Sequence, residues 1–390
     1  MSLQLINRSP DLKRLQDEGY DLEIRHSHLL VKAVPYVNSQ REVKLGILVS
    51  ELTTAGEHTA KPKTHVAMFV GEYPCDVNGS DLHQIKHDGG KTLGENLVIT
   101  HSFSSKPVGG YTDYYHKMTA YIAIFLTHAQ AIDPKATAQT FPVITTSENE
   151  SVFKYLDTAS SRAEINIATT KLEQTKVAIV GVGGTGSYVL DLVAKTPVSE
   201  IHLFDGDDFL SHNAFRAPSA ASLEELDAKP KKVVYFAGLY SKMRRGLVAH
   251  DYHVDASNVA ELQGMAFVFL CIDSGGGKKS IVDGLEAFGI PFIDVGMGVE
   301  MVDESLRGAL RVTTSIPEKR DHFRTRVSLV DAGVNEEYDT NIQVADLNAL
   351  NAALAVIKWK KLCGFYLDLQ NEYNSTYTID GNSLISDDQA

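Results

Sequence analysis

The chain has 390 residues, of which 43% are hydrophobic and 22% are charged, so it is long enough for two or three domains with buried cores. Asp and Glu number 50 against 37 Lys and Arg, and the resulting net charge of -13 argues against binding to nucleic acid or to an anionic membrane surface. No apolar run approaches the roughly 18 residues of a spanning helix, and the N-terminus shows no secretory signal pattern, so we expect a cytoplasmic protein. The three cysteines are widely spaced, so we expect neither disulfides nor cysteine zinc sites.

The first part of the chain, residues 1–145, shows the pattern of an α+β domain. A short helix is predicted at residues 11–17 and a longer one at residues 111–131. Between the two helices, strands are predicted at 22–25, 29–37, 43–52, 65–70 and 97–103. Residues 133–147 are rich in Pro, Thr and Ala without periodicity and are interpreted as a connector.

The second part, residues 146–390, shows the alternation of strands and helices that builds a parallel sheet. Strands are predicted at 176–180, 200–204, 247–254, 265–272 and 291–295. Several are continuous apolar runs, as is typical of strands buried on both faces. The run 344–364 is apolar around most of a helix and ends in lysines and a glycine. It predicts a buried helix that packs in the core or in a dimer interface.

A glycine-rich loop directly follows the first strand of this second domain. Its glycines are Gly181, Gly183, Gly184 and Gly186. Between a strand and a helix, such a loop can hold a phosphate with backbone amides and the helix dipole. Asp205, at the end of the second strand, is placed to accept hydrogen bonds from ribose hydroxyls. These features predict a nucleotide site, but alone they fit an NAD(P)-dependent oxidoreductase equally well.

The residues that follow distinguish the two hypotheses. After Asp205 come Asp207, Asn213 and Arg216, then Lys229-Pro230-Lys231-Lys232, and then Cys271-Ile272-Asp273 after the fourth strand. In this order the motifs resemble the ThiF/MoeB family, the adenylating domain shared with ubiquitin-activating enzymes, over about residues 160–380. The resemblance implies a Rossmann-like α/β fold, a mostly parallel sheet with helices on both faces. It also implies an ATP- and Mg²⁺-dependent adenylyltransferase that activates the C-terminal carboxylate of a ubiquitin-like protein.

The resemblance implies a role for each motif residue. The nucleotide would be held by Gly181, Gly183, Gly184, Gly186, Asp205, Asp207 and Asn213, and the catalytic residues would be Lys231, Arg216, Asp273 and Arg162. Lysine and arginine suit phosphate charge, and Asp273 suits Mg²⁺, which prefers carboxylates and phosphate oxygens. Lys229 and Lys232 compete with Lys231, because the interval after Arg216 leaves the register open. In the family, the arginine at the position of Arg162 often reaches across a homodimer; a surface charge is the alternative.

The chain departs from the family pattern in its cysteines. It has no Cys-x-x-Cys pair, and there is no cysteine between Gly296 and Asn341, where residues 311–340 suggest a flexible crossing loop. Cys271, at the end of an apolar strand, is expected to be buried. Either the reaction stops at the acyl-adenylate, or the acyl group moves to another residue. The candidate acceptors are Thr313, Thr314, Ser315, Ser328 and Cys75.

The N-terminal domain loosely resembles, in architecture alone, a ubiquitin-conjugating-enzyme-like domain of bacterial conjugation operons. Cys75 would then be the acceptor, although the His-Pro-Asn triplet that normally precedes the conjugating cysteine is absent. His26 and His28 would share a strand face, but we expect an ordinary histidine pair without metal. The expected partners are a ubiquitin-like protein and a second copy of the chain. Besides the oxidoreductase, a non-catalytic scaffold of a conjugation system is the remaining alternative.

Overall fold

The structure is a computed structural model and consists of two compact units, Met1–Ile144 and Thr145–Ala390. The residues that it describes are 2–94, 97–146, 151–163, 165–173, 176–273, 275–329 and 342–389.

The first unit is built on a six-stranded sheet in which all neighbouring strands are antiparallel, with the order β1-β2-β3-β6-β8-β7. Strands β4 and β5 form a separate pair. The strands are β1 (Asp21–Arg25), β2 (His28–Val37), β3 (Val43–Glu51), β4 (Thr54–Ala55), β5 (His58–Thr59), β6 (Val66–Val70), β7 (Lys86–Thr92) and β8 (Val98–Ser104). The sequence did not predict β7, because its residues are all exposed and form no apolar alternation.

Helices cover one face of this sheet. They are α1 (Ser2–Arg8), α2 (Pro10–Asp17) and α3 (Tyr114–Ile132), with a 3-10 turn at His83–Ile85. Leu12 and Leu15 of α2 and Phe125 of α3 share one apolar core with Val31 and Phe69 of the sheet. The predicted α+β character of this part of the chain is therefore confirmed.

The second unit contains an eight-stranded sheet with the order β11-β10-β9-β12-β13-β14-β15-β16. The first five strands in this order are parallel, and the last three continue the sheet in antiparallel fashion. The strands are β9 (Lys176–Val180), β10 (Glu200–Phe204), β11 (Leu247–His250), β12 (Phe267–Leu270), β13 (Phe292–Val302), β14 (Ser305–Ser315), β15 (Asn374–Thr378) and β16 (Ser383–Asp387).

Alternate residues of β9 show that the sheet is covered on both faces. Val177 and Ile179 pack in a core with α6, α9 and α12, whereas Ala178 and Val180 pack in a core with α10 and α11. The helices are α4 (Thr158–Arg162), α5 (Asn166–Thr169), α6 (Gly184–Val193), α7 (Ser211–Ala214), α8 (Leu223–Asp227), α9 (Lys232–Tyr240), α10 (Gly275–Phe288), α11 (Phe323–Arg326) and α12 (Ala345–Leu362), with 3-10 turns at Thr170–Leu172 and Val259–Leu262. The predicted doubly covered, mostly parallel sheet is confirmed.

The predicted crossing loop at 311–340 is wrong at its beginning. Arg311 to Ser315 complete β14, and the chain then forms the short helix α11. The end of that prediction, residues 330–340, lies outside the described residues. Within the described ranges, none of the helices combines the length and the apolar character needed to cross a membrane.

Candidate functional site

A cleft of about 420 Å³ opens at the carboxyl ends of the central parallel strands of the second unit. Within the sheet, β9 lies between β10, the next strand along the chain, and β12. Ligands of open α/β sheets bind where the strand order reverses in this way, and the volume lies in the range of small-molecule sites. Six predicted site residues line the cleft: Gly181, Gly183, Asp205, Asp207, Arg216 and Asp273.

The four glycines of the loop have different physical reasons to be glycine. Gly181 has φ +84°, and a Cβ there would lie 2.5 Å from the carbonyl oxygen of Cys271. A Cβ at Gly184 would meet the amide of Asn348, and one at Gly186 would meet the carbonyl oxygen of Gly181. At Gly183, apart from its chain neighbours, no atom of the described residues lies within 4 Å of the Cβ position. Packing thus explains three of the glycines, whereas the open side of Gly183 leaves room for a ligand.

Asp205 ties the loop to the end of β10. One of its carboxylate oxygens accepts a hydrogen bond from the backbone N–H of Val182 at 2.9 Å, and the other accepts from the N–H of Asp207 at 2.9 Å. The side chain is buried. Each carboxylate oxygen has a second lone pair, so Asp205 can still accept from a ribose hydroxyl.

The lysine that faces the cleft is Lys232. Its backbone N–H donates to the carbonyl oxygen of Asp207 at 3.0 Å, and its Nζ lies 2.6 Å from Oδ2 of Asp207. Lys231 points elsewhere, since its Nζ contacts Oδ1 of Asp208 and the carbonyl oxygen of Gly206, each at 2.9 Å. Lys232 lines the cleft, and Lys231 is not among the residues that do. Lys229 is likewise not among the lining residues.

The charge of Lys232 affects the acid next to it. Partial burial alone would raise the pKa of Asp207, but the hydrogen bond and charge of Lys232 outweigh burial, and the pKa is lowered. Burial, followed by the positive charges of Arg216 and Lys232, lowers the pKa of His212. Arg216 and Lys232 are thus close enough to act on His212, although Asp205 and Asp207 balance the charge of Lys232.

The segment 213–216 carries two buried donors without a hydrogen-bond partner among the described residues, Nδ2 of Asn213 and Nε of Arg216. Oδ1 of Asn213 accepts from the N–H of Leu210 at 2.9 Å, which fixes the orientation of its amide. Buried donors are normally paired. Two unpaired donors in one segment, one of them on a residue of the cleft, fit an anionic ligand.

Asp273 lies between the end of β12 and the start of α10, where it lines the cleft and is exposed. One of its oxygens accepts a hydrogen bond from Nε2 of Gln343 at 3.3 Å. An exposed carboxylate at this place can contact a hydrated cation, as the predicted Mg²⁺ site requires.

His253 is a cleft residue that the sequence analysis did not identify. With Asp205 and Asp207 it forms, in the described part of the chain, a trio whose ligand atoms lie within 4.8 Å of one another. Lys232 already supplies a positive charge to both carboxylates of this trio, at 2.6 Å and 3.6 Å. The trio is therefore an ion-paired wall of the cleft, and we assign no metal to it.

The cysteines are poorly suited to nucleophilic chemistry. Cys271 lines the cleft, but burial and then the nearby carboxylate of Asp294 raise the pKa of its thiol far above the ordinary value. Burial raises the pKa of Cys363 to about 11. Cys75 is buried, and burial and the neighbouring Asp81 raise the pKa of its thiol. Because the thiolate is the nucleophile, these environments suppress thioester formation.

The other candidates lie outside the cleft. Arg162, at the end of α4, is exposed and is not a lining residue. Of the hydroxyl acceptors, Thr313, Thr314 and Ser315 are buried, whereas Ser328 is exposed. His26 lies in the turn between β1 and β2, so the two histidines do not share a strand face as predicted, and the ring of His28 contacts the carbonyl oxygen of His26 at 2.6 Å.

Comparisons with known proteins match both parts of the chain. The model of the ThiF family matches residues 159–380, and that of a domain of unknown function, DUF6791, matches residues 10–158. No curated protein matches the chain. Similar solved structures include E. coli MccB with ATP (16% identity, TM-score 0.44, covering 58% of this chain and 67% of that chain), E. coli MccB with MccA-N7isoASN (16%, 0.46, 58% and 67%) and PaaA (17%, 0.44, 57% and 75%).

The chain thus spans about two thirds of the length of the MccB chains that it matches. The ThiF match covers more than half of the 390 residues and includes the glycine loop, Asp205, Asp207, Arg216, the lysine cluster and Asp273. This chain belongs to the ThiF family.

Proposed function

We propose that the chain is an ATP- and Mg²⁺-dependent adenylyltransferase that activates the C-terminal carboxylate of a ubiquitin-like protein, in a bacterial conjugation or sulfur-carrier pathway. The observation that carries the proposal is the convergence of Gly183, with its open Cα side, and the cations Arg216 and Lys232 in one cleft. Two phosphate-binding cations beside a glycine loop are what an adenylyl transfer requires. A hydride transfer would give them no task.

In this proposal the loop binds the phosphates of ATP and Asp205 binds the ribose. The carboxylate of the substrate attacks the α-phosphorus, and the bond from that phosphorus to the pyrophosphate oxygen breaks. The products are an acyl-adenylate and pyrophosphate. Lys232, rather than Lys231, neutralises the α-phosphate, because Lys232 is the lysine of the cleft. Arg216 and Asn213, with their unpaired donors, hold the leaving pyrophosphate.

The donor set also fits the magnesium ion that the family implies. Asp273 would hold it, because its exposed carboxylate lines the cleft and Mg²⁺ prefers carboxylate and phosphate oxygens. When bound, Mg²⁺ supplies positive charge that stabilises phosphate oxygens. Asp273 itself orients the ion, and Gln343 orients Asp273.

The proposed product that leaves the cleft is the acyl-adenylate. The raised thiol pKa values of Cys75, Cys271 and Cys363 support this choice over an enzyme-bound thioester. A homodimer, in which Arg162 reaches the partner's cleft, remains part of the proposal from family resemblance.

The binding of ATP, compared between two glycine variants, tests this proposal. Gly183→Ala adds a methyl group where nothing lies within 4 Å, so we expect the melting temperature of the wild type but an affinity for ATP lowered about tenfold. Gly186→Ala would drive a Cβ into the carbonyl oxygen of Gly181 and should lower the melting temperature. Calorimetry with ATP, and with NAD as the control nucleotide, gives the result. Tight binding of NAD without binding of ATP would overturn the proposal.

A further inference from the structure

Asn348 of α12 connects two segments of the candidate site that lie far apart in sequence. Its Oδ1 accepts a hydrogen bond from the hydroxyl of Thr185 at 2.9 Å, and its Nδ2 donates to the carbonyl oxygen of Arg216 at 3.3 Å. Thr185 belongs to the glycine loop, and Arg216 lines the cleft. One buried amide thus joins the loop to the segment that carries the arginine.

The chemistry of the partners fixes the orientation of this amide. A carbonyl oxygen only accepts, so the amide must present Nδ2 to Arg216 and Oδ1 to Thr185. The side chain of Asn348 is fully buried, and both of its polar groups have a partner. A buried amide is costly unless it is paired, and nearby positions of α12, Ala352 and Val356, are apolar. Packing alone would favour an apolar residue at this position.

The backbone of the loop also contacts Asn348 directly. A Cβ at Gly184 would collide with the amide of Asn348, so glycine is required there for this approach. Asn348 therefore touches the loop at Gly184 and Thr185, while it holds the opposite segment through the carbonyl of Arg216. The distance between the loop and the Arg216 backbone depends on this one side chain.

We propose that Asn348 is a positioning residue, which sets the guanidinium of Arg216 relative to the phosphate-binding loop. Its effect on catalysis rests on the proposed function, because the cleft must bind ATP for the positioning to act on a substrate. Errors of about 1 Å in the placement of charged groups can cost on the order of a hundredfold in rate. Loss of the two hydrogen bonds of Asn348 should therefore reduce the binding and turnover of ATP more than it reduces the stability of the fold.

Hydrogen exchange on the ligand-free protein tests the bridge without reference to activity. Asn351 is a matched control, because it lies one turn further along α12, is also fully buried, and donates to the carbonyl oxygen of Gly296 at 3.0 Å. Asn348→Leu should increase exchange in peptides that cover residues 181–187 and 213–218, and Asn351→Leu should not. Wild-type exchange in both segments of Asn348→Leu, or equal increases in both variants, would overturn the proposal.

A double-mutant cycle with ATP and magnesium tests the consequence. Asn348→Leu should lower the affinity for ATP about tenfold in the wild-type background, but less than about twofold in an Arg216→Ala background, because it acts through Arg216. Equal losses in the two backgrounds would contradict the positioning role. Thr185→Val, which removes the hydroxyl, should behave as Asn348→Leu does, and Thr185→Ser should restore the affinity. Thr185→Val also keeps the test valid if Asn348→Leu does not fold.

The two experiments separate the inference from the proposed function. If the wild-type protein binds no ATP, the proposed function fails, and hydrogen exchange still decides whether Asn348 couples the two segments. If the wild-type protein binds ATP and the cycle is additive, the proposed function stands and the role of Asn348 is wrong.

Discussion

The ammonium group of Lys232 lies 2.6 Å from the carboxylate of Asp207 and 3.6 Å from that of Asp205. In the ligand-free cleft, its charge is therefore balanced by two acids. Lys231, its neighbour in sequence, forms an ion pair with Asp208 instead. A phosphate that enters the cleft would compete with Asp207 for Lys232. Before the nucleotide arrives, the contacts with Asp205 and Asp207 hold the ammonium group of Lys232 in position.

The two lysines are predicted to differ sharply in function. Lys232→Met should reduce adenylation by about a hundredfold, in line with the loss of one charged group at a site where charge develops. Lys231→Met should reduce it by less than about threefold, since its side chain is 41% exposed and interacts outside the cleft. The measurement is the rate of pyrophosphate exchange at saturating ATP. A larger loss of activity in Lys231→Met than in Lys232→Met would show that Lys231 is the lysine that neutralises the α-phosphate.

Replacement of Asp273 should change how the rate of adenylation depends on the magnesium concentration. We expect Asp273→Asn to lower the rate by about a hundredfold and to raise the magnesium concentration needed for half-maximal activity, because the variant keeps the shape but loses the charge that binds the cation. Gln343→Ala, which removes the hydrogen bond to Asp273, should have a smaller effect in the same direction. A magnesium titration of each variant gives the comparison. An unchanged midpoint in Asp273→Asn would mean that the ion binds elsewhere.

The sequence predicted the central strands well because their burial leaves a strong pattern. Strands β9 and β10 begin and end at the predicted residues, since strands covered on both faces are nearly continuous apolar runs. Strands β15 and β16 were not predicted. Their residues are mostly polar and half-buried or exposed, so no apolar alternation marks them.

The sequence predicted only part of the candidate site. Motif order identified six of the residues that line the cleft, but it missed His253 and could not choose between the adjacent Lys231 and Lys232. Asn348 was not identified at all. A single asparagine in an apolar helix gives no signal in one sequence, because its partners Thr185 and Arg216 are distant along the chain.

A protein without cysteine should still form the acyl-adenylate. All three thiols have raised pKa values, so we expect the variant with Cys75, Cys271 and Cys363 all replaced by Ala to keep pyrophosphate exchange within about threefold of the wild type. Any covalent adduct of the wild-type protein should resist thiol reductants. An adduct that reductants remove, and that the cysteine-free protein does not form, would show that a thioester is part of the reaction.

Lys117 should stabilise the first unit more strongly as the pH rises above 8. Burial lowers the pKa of Lys117 to about 8, and its Nζ donates to the hydroxyl of Ser50 at 2.8 Å and the carbonyl oxygen of Thr64 at 2.9 Å. Between about pH 8 and its ordinary value of 10.5, the unfolded chain binds a proton that the folded chain does not. The contribution of Lys117 to the free energy of unfolding should therefore rise across this window, by an amount on the order of 3 kcal/mol.

Urea unfolding, followed by circular dichroism at several pH values, measures this effect. Lys117→Met should lose the rise, whereas Lys106→Met, at an exposed position, should keep it. Other titrating groups are common to the three proteins and cancel in the comparison. An equal rise in all three would mean that Lys117 is charged in the folded state throughout the window.

The most direct test of the central claim is the exchange of labelled pyrophosphate into ATP by the purified full chain with magnesium, in the presence of a ubiquitin-like protein with a free C-terminal carboxylate. The account predicts exchange that requires the carboxylate, and that is lost when the C-terminus is amidated. It also predicts that exchange falls about a hundredfold in Lys232→Met. Exchange that proceeds equally with the amidated protein, or no exchange although ATP binds, would contradict the account.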